Sequence, residues 1–259
     1  MLAKERQDRI YTWLRSTGAV TTAELVERLH VSIETVRRDL LTMEQKGLLS
    51  RVHGGAVARG NMKQFQDLQQ RNREYSREKR ALSQAAAELV TEGDIIAVDS
   101  GSTAIAFAAA LKEKFSRLTV VTHALDVFEA LHDHGEFRVI LCSGEYLKQE
   151  RAFYGALSLD AYGKLHVQKS FLTPSAVSLD NGICDYQSEL YPLQRRLTEI
   201  ADRVFVLADS SKFEKQAFLK IDDMRSEYTY VTDDGLPDEL QKLYSSNNIQ
   251  IITAEWEKE

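Results

Sequence analysis

The chain has 259 residues, 43% hydrophobic and 28% charged, which is ordinary for a globular protein with room for one large core or two unequal ones. No run approaches the roughly 20 apolar residues of a membrane span, and residues 1–9 mix charges without an apolar leader, so a cytoplasmic protein with no membrane partner is expected. Cys142 and Cys184 stand far apart and lack any Cys-x-x-Cys spacing, so neither a metal site nor a redox pair is expected.

The net charge of −6 hides an asymmetry. Residues 1–80 carry 16 Lys+Arg against 10 Asp+Glu, whereas residues 81–259 carry 17 against 29. A basic head on an acidic body is what a nucleic-acid reader joined to a domain with another task displays; chance clustering on a solvated surface is the plainer account.

In chain order, a helix is expected over residues 5–17, with Ile10, Trp13 and Leu14 on one face and Gly18 ending it. Thr21 and Glu24 have the spacing of a capping box, opening a short helix that carries Leu25 and Leu29 and closes at His30. Val31-Ser32 makes a turn, and Ser32 suits the N-cap of a third helix. There Ile33, Val36, Leu40 and Met43 are spaced three, four and three, so one apolar stripe is expected to face inward. Gly47 stops that helix, and residues 48–57, with His53-Gly54-Gly55 at the turn, read as a hairpin.

Residues 59–77, rich in Gln, Arg and Asn, read as a linker turning helical toward its end. Beyond it, helices alternate with short apolar runs at 95–98, 118–121, 137–141, 170–172, 204–207, 228–231 and 249–252. Such alternation indicates a mostly parallel α/β sheet. The expected organisation is a winged helix-turn-helix over 1–58, a linker over 59–77 and an α/β sensing domain over 78–255.

If the third helix packs by its apolar stripe, it exposes Glu34, Thr35, Arg37, Arg38, Thr42 and Gln45, with Ser32 at its start. A helix presented in this way enters the DNA major groove by its first two turns. Arg37 and Arg38 can each read guanine or clamp a phosphate, and these roles stay open between them. Asp39 is expected to orient an Arg or a backbone group, and Arg51 and His53 to reach flanking phosphates or the minor groove. The bland alternative is a three-helix protein-contact module with a solvated Arg pair.

In the second half, Asp99, Ser100, Gly101, Ser102 and Thr103 follow an apolar strand and precede a helix. Free N–H groups, a helix dipole and hydroxyls at such a turn can cradle a phosphate. The Gly-Lys of a nucleotide P-loop is missing, so an NTPase is not supported; a plain capping turn is the alternative. Lys212 follows the 204–207 strand, and loops at the carboxyl ends of parallel strands converge on one crevice. Thr122 and His123 end one strand, and Ser143-Gly144-Glu145 follows another, so they are expected along that crevice. Asp180, Asp185 and Glu189 are candidates for ligand hydroxyls, each equally a cap or a surface acid.

Residues 31–40 (Val-Ser-Ile-Glu-Thr-Val-Arg-Arg-Asp-Leu) and 47–56 (Gly-Leu-Leu-Ser-Arg-Val-His-Gly-Gly-Ala), with the 99–103 and 209–213 motifs, resemble the signature of the DeoR family of bacterial regulators. The resemblance spans about residues 4–255. It implies a sensor domain similar to phosphosugar isomerases, double-stranded operator DNA as partner, and release of a repressor by a phosphorylated sugar or related metabolite. It implies no cofactor and no enzyme activity. Three positions depart from the family's usual pattern: His123 in place of Asn, Ser143-Gly144 in place of Gly-Gly, and Thr173-Pro174-Ser175-Ala176 in place of a Gly-rich stretch. A homo-oligomer, dimer or tetramer, is expected to pair the recognition helices. The competing readings are a phosphosugar isomerase or deaminase with a DNA-binding head, using Asp99, Asp185 or Glu189 as base, and a DNA-binding protein whose α/β part only oligomerises.

Overall fold

A computed structural model of the chain describes residues 2–17, 19–46, 48–52, 54–58, 68–217 and 219–255. The chain divides into two compact units, Met1–Gln66 with Gln216–Leu219, and Asp67–Lys215 with Lys220–Glu259.

In the first unit, α1 (Ala3–Thr17), β1 (Ala19–Thr21), α2 (Thr22–Leu29) and α3 (Ile33–Gln45) precede the hairpin β2 (Leu49–Val52) and β3 (Gly55–Ala58). The capping box forms as expected: Glu24 N donates to Thr21 Oγ1 at 2.8 Å, and Thr21 N donates to Glu24 Oε2 at 2.9 Å. His30 ends α2 in the left-handed region, with φ 54°. Ile10, Leu14, Leu25, Leu29, Val36, Leu40 and Met43 close one small core. Ile33 departs from the expected stripe. It lies in the first turn of α3, outside that cluster, and is 39% exposed. The hairpin gains a third strand the residue pattern did not signal, β1, which pairs antiparallel with β3. That pairing requires Gly55, because a Cβ there would stand 2.2 Å from the carbonyl oxygen of Val20.

The second unit begins with α4 (Leu68–Arg73) and α5 (Ser76–Ala87), so the described end of the expected linker is helical. Then follow β4 (Ile95–Val98), α6 (Ser102–Lys114), β5 (Thr119–Thr122), α7 (Leu125–Leu131) and β6 (Arg138–Leu141). The hairpin β7 (Glu145–Leu147) and β8 (Ala152–Tyr154) leads to α8 (Ala156–Gly163) and β9 (Val167–Leu172). A second hairpin, β10 (Ala176–Ser178) and β11 (Gly182–Asp185), precedes α9 (Tyr191–Glu199), β12 (Ala201–Leu207) and β13 (Leu219–Asp222). The chain closes with β14 (Thr229–Asp233), α10 (Asp238–Ser246) and β15 (Gln250–Ala254).

Seven strands form one sheet in the order β15-β14-β12-β9-β4-β5-β6, and every pairing in it is parallel. Its strands coincide with the seven apolar runs read from the sequence. Alternate residues face opposite layers: Phe205 and Leu207 pack on the α5–α6 side, Val204 and Val206 on the α9–α10 side. Phe171 bridges the middle, its ring 4.4 Å from Phe107 and 5.0 Å from Phe205. From β4 the chain winds one way to β5 and β6, then crosses back to β9 and continues the other way. The loops after β4 and β9 therefore diverge, and at such a reversal a doubly wound sheet opens its crevice.

Candidate functional site

On the first unit, α3 starts at Ser32, whose Oγ accepts from Thr35 N at 3.3 Å and lies 3.0 Å from Thr35 Oγ1. Glu34, Arg37 and Arg38 are exposed and Thr35 is half-buried, so the expected reading face is presented. Thr42 is half-buried, its hydroxyl donating to the carbonyl of Arg38 at 3.0 Å, which ties it to its own helix. Asp39 is buried and takes Arg6 Nε at 2.7 Å and Gln7 Nε2 at 3.2 Å, both from α1. It orients an arginine as expected, but one from another helix, and its charge is spent inside the fold. Arg51 is exposed on β2, its backbone N–H held by Glu44 Oε1 at 2.8 Å. Gly54 turns the hairpin with φ 85°; His53 lies outside the described residues.

On the second unit, the 99–103 turn lies at the carboxyl end of β4. Gly101 adopts φ 96°, a conformation side chains resist, and no side chain caps α6. Among the described residues no side chain caps the first N–H groups of that 13-residue helix, and α6 has no acidic residue in its first turn. An anion at that point would complete them. After β12, Asp209 accepts from Ser211 N at 3.1 Å and shapes the single 3-10 turn Ser210–Lys212, while Asp233 Oδ1 holds Ser210 N at 2.7 Å. Lys212 is half-buried at the end of that turn.

Around the carboxyl ends of β4 and β9 lies a buried polar network. Asp99 Oδ2 accepts Thr173 N at 3.1 Å and Gln194 Nε2 at 3.3 Å, joining the loops after β4 and β9 to α9. The same amide donates to Asp185 Oδ2 at 2.8 Å, and Asp185 Oδ1 takes Ser175 Oγ and the Tyr186 N–H. Asp99 Oδ1 faces His123 Nε2 at 3.5 Å; both groups are fully buried, and neither atom has a hydrogen-bond partner among the described residues. His123 Nδ1 lies 3.1 Å from the hydroxyl of Tyr162. Burial pushes the Asp99 carboxyl up to about 7 and the His123 imidazole down to about 4.

These positions sort the expected residues. Asp99, Thr122, His123 and Asp185 are buried under the crevice, where Thr122 Oγ1 accepts the Ala124 N–H at 3.1 Å. Asp185 has both oxygens engaged inside the protein. Asp180 is not brought to the crevice. It sits exposed in the turn closed by the Ser178–Gly182 pair, at the hairpin's far end from Asp185, and Asn181-Gly182 supplies the turn chemistry. Glu189 accepts the Ser188 hydroxyl at 3.0 Å, and Ser143 is exposed beside β7.

Sequence reasoning missed Arg71, Lys79, Glu150 and Gln194. Two of these carried a signal. Lys79 stands three residues before Leu82 and seven before Ala86, and Gln194 stands three before Leu197, so each is a polar group on an apolar stripe. Lys79 is buried, and its Nζ donates to the carbonyls of Arg71 and Glu74. Burial pushes its ammonium down to about 8, against the attraction of Asp209, with Lys212 and Arg71 adding positive charge nearby.

Residues 6–60 match the DeoR-like helix-turn-helix domain, and residues 74–234 match the DeoR C terminal sensor domain. The chain is similar to the L-fucose operon activator of Haemophilus influenzae, at 32% identity over 247 residues, 95% of this chain and 98% of that one. It is also similar to the lactose phosphotransferase system repressor of Streptococcus mutans serotype c, at 32% identity over 94% of this chain and 97% of the other. Among solved structures, ribose 5 phosphate isomerase A from Neisseria gonorrhoeae aligns with 53% of each chain, with a TM-score of 0.39 and 17% identity.

Proposed function

The chain belongs to the DeoR family of DNA-binding transcription regulators, and from that premise we propose that it represses a sugar-catabolism operon and leaves its operator when a phosphorylated sugar or related metabolite fills the crevice. The face of α3 carries the reading. Arg37 and Arg38 project outward while the neighbouring Asp39 is withdrawn into the core by Arg6 and Gln7, so the helix offers two cations to a polyanion without that acid beside them. Thr35 and the Ser32 cap stand at its leading end, where a recognition helix meets base edges or phosphates, and Glu34 and Thr42 flank them. Arg51 and His53 serve the flanking backbone.

The ligand half of the proposal rests on the uncapped first turn of α6, Gly101 at its head, and the cation Lys212 on the loop after β12. A phosphate takes the free N–H groups and the hydroxyls of Ser100, Ser102 and Thr103, and Lys212 neutralises its charge. A homodimer or tetramer sets paired α3 helices on repeated or palindromic half-sites, about one helical turn of DNA apart for adjacent major grooves. The ligand releases DNA only if it binds one arrangement of the heads better than another. The streptococcal relative is named a repressor and the Haemophilus relative an activator, so the sign of regulation is read directly with a reporter gene.

Fluorescence anisotropy on DNA from upstream of the gene tests the first half. Replacing Arg37 or Arg38 by Ala weakens binding by about 1–3 kcal/mol if the residue reads a base. Unchanged binding with both replaced removes α3 as the reading helix. Replacing Lys212 or Ser102 by Ala leaves DNA binding intact and blunts the response to a sugar phosphate found by thermal-shift screening. A full response in both variants removes the crevice.

A further inference from the structure

Two large apolar side chains of α3 are left in solvent. Ile33, in the first turn, is 39% exposed, and Leu41, in the third, is 41% exposed. Neither belongs to the small core that Val36, Leu40 and Met43 enter from the same helix. Ile33, Arg37 and Leu41 follow one another at intervals of four, so they form one row, and Arg38 stands one turn before Leu41 beside it. Asp39 ties one flank of α3 to α1, and Glu44 ties the other to β2 through the Arg51 N–H. The face left between those ties carries Arg37, Arg38 and Leu41, with Ile33 at its leading edge. A single exposed leucine needs no explanation. Two apolar side chains aligned with the cations of the reading helix find one in the chemistry of the major groove. Thymine presents a C5-methyl there, and adenine presents a pattern that Asn or Gln matches. Residues 33–42 hold no Asn or Gln, so over these turns the methyl is the group by which an A·T pair is recognised.

We propose that Ile33 and Leu41 determine operator specificity by packing on thymine methyl groups on either side of Arg37, so that each half-site carries thymines at those two places. The proposal rests on α3 as the reading helix and adds what its polar residues do not supply. Ile33 suits the task because a β-branched side chain in a helix keeps one strongly preferred χ1 rotamer. Its turn is fixed by the bond from Thr35 N to Ser32 Oγ, so little freedom is lost on contact. The charges around the row select the occupant. Arg37 and Arg38, exposed beside Ile33 and Leu41, favour a polyanion with apolar groups in its groove over an apolar protein face.

The test is a fluorescence-anisotropy scan of the full chain on a duplex taken from the segment it protects upstream of the gene. Each thymine in turn is replaced by deoxyuridine, which removes the C5-methyl and nothing else. Wild type loses about fourfold in affinity at a contacted thymine, the gain from burying one methylene. Ile33→Ala binds the parent duplex more weakly and becomes indifferent to deoxyuridine at its own position alone; Leu41→Ala does the same at a different one. Scans of both variants that superimpose on wild type overturn the proposal, as does a wild type indifferent to every replacement. If replacing Arg37 and Arg38 by Ala abolishes binding while the Ile33 and Leu41 variants keep the wild-type scan, α3 stands as the reading helix and its apolar row leaves the interface. If neither pair matters for binding, the reading-helix assignment falls and this one with it.

Discussion

At the scale of single residues, burial shifts two titratable groups in opposite senses, and they set opposite pH responses. Asp99 has a folded pKa of about 7 against 3.8 ordinarily, so it takes up a proton on folding and favours the fold as pH falls through that window. His123 has a folded value of about 4 against 6.5, so it sheds a proton on folding and disfavours the fold as pH falls from 6.5 toward 4. The two oppose each other over most of that range. His123→Asn removes the second effect, so its unfolding midpoint rises relative to wild type as pH is lowered from about 7 to 5; curves that stay parallel contradict a buried neutral imidazole at that position. Asp39 gives a simpler case. Asp39→Ala removes the buried acceptor of both Arg6 Nε and Gln7 Nε2 and costs the first unit about 1–3 kcal/mol, read by denaturant unfolding of the full chain. The burial of Asp39 and its place beside an arginine were half legible from the sequence. Its partner was not, because Arg6 lies 33 residues away on another helix.

At the scale of elements, what could be read followed the length and periodicity of each segment. The seven strands of the parallel sheet are continuous apolar runs because both faces are covered, and all seven stood out. The strands that did not stand out are short pieces held by pairing more than by an apolar run of their own. β1 has three residues and exists by pairing with β3, and β10 with β11 forms a separate antiparallel hairpin. Val36, Leu40 and Met43 of α3 pack inward as their spacing demands, whereas Ile33 in the first turn overhangs the core. Gly55→Ala tests the three-stranded wing: the added methyl would collide with the Val20 carbonyl, and the substitution should lower DNA affinity with little effect on phosphate binding. Equal loss of both would mean that the damage spreads beyond the wing. In the sheet, Phe171→Ala opens a cavity between Phe107 and Phe205 and costs about 3–5 kcal/mol by chemical denaturation.

At the scale of the whole molecule, a basic head and an acidic body are joined in one chain, and the family relationship gives them linked tasks. The 99–103 turn was legible as a local motif, since strand, glycine and helix start follow one another directly. The residues gathered around it from α4, α5, α9 and the 148–151 turn were not, because only the crossover at β4 and β9 brings them to one place. That gathering also explains why Asp180, plausible in sequence, falls outside the site. The most direct measurement is one anisotropy titration of the full chain on upstream DNA, with and without a saturating sugar phosphate, for wild type and Lys212→Ala. The account predicts that the ligand weakens wild-type binding by about tenfold or more while Lys212→Ala binds DNA normally and does not respond. An identical response to the ligand in both proteins would contradict it.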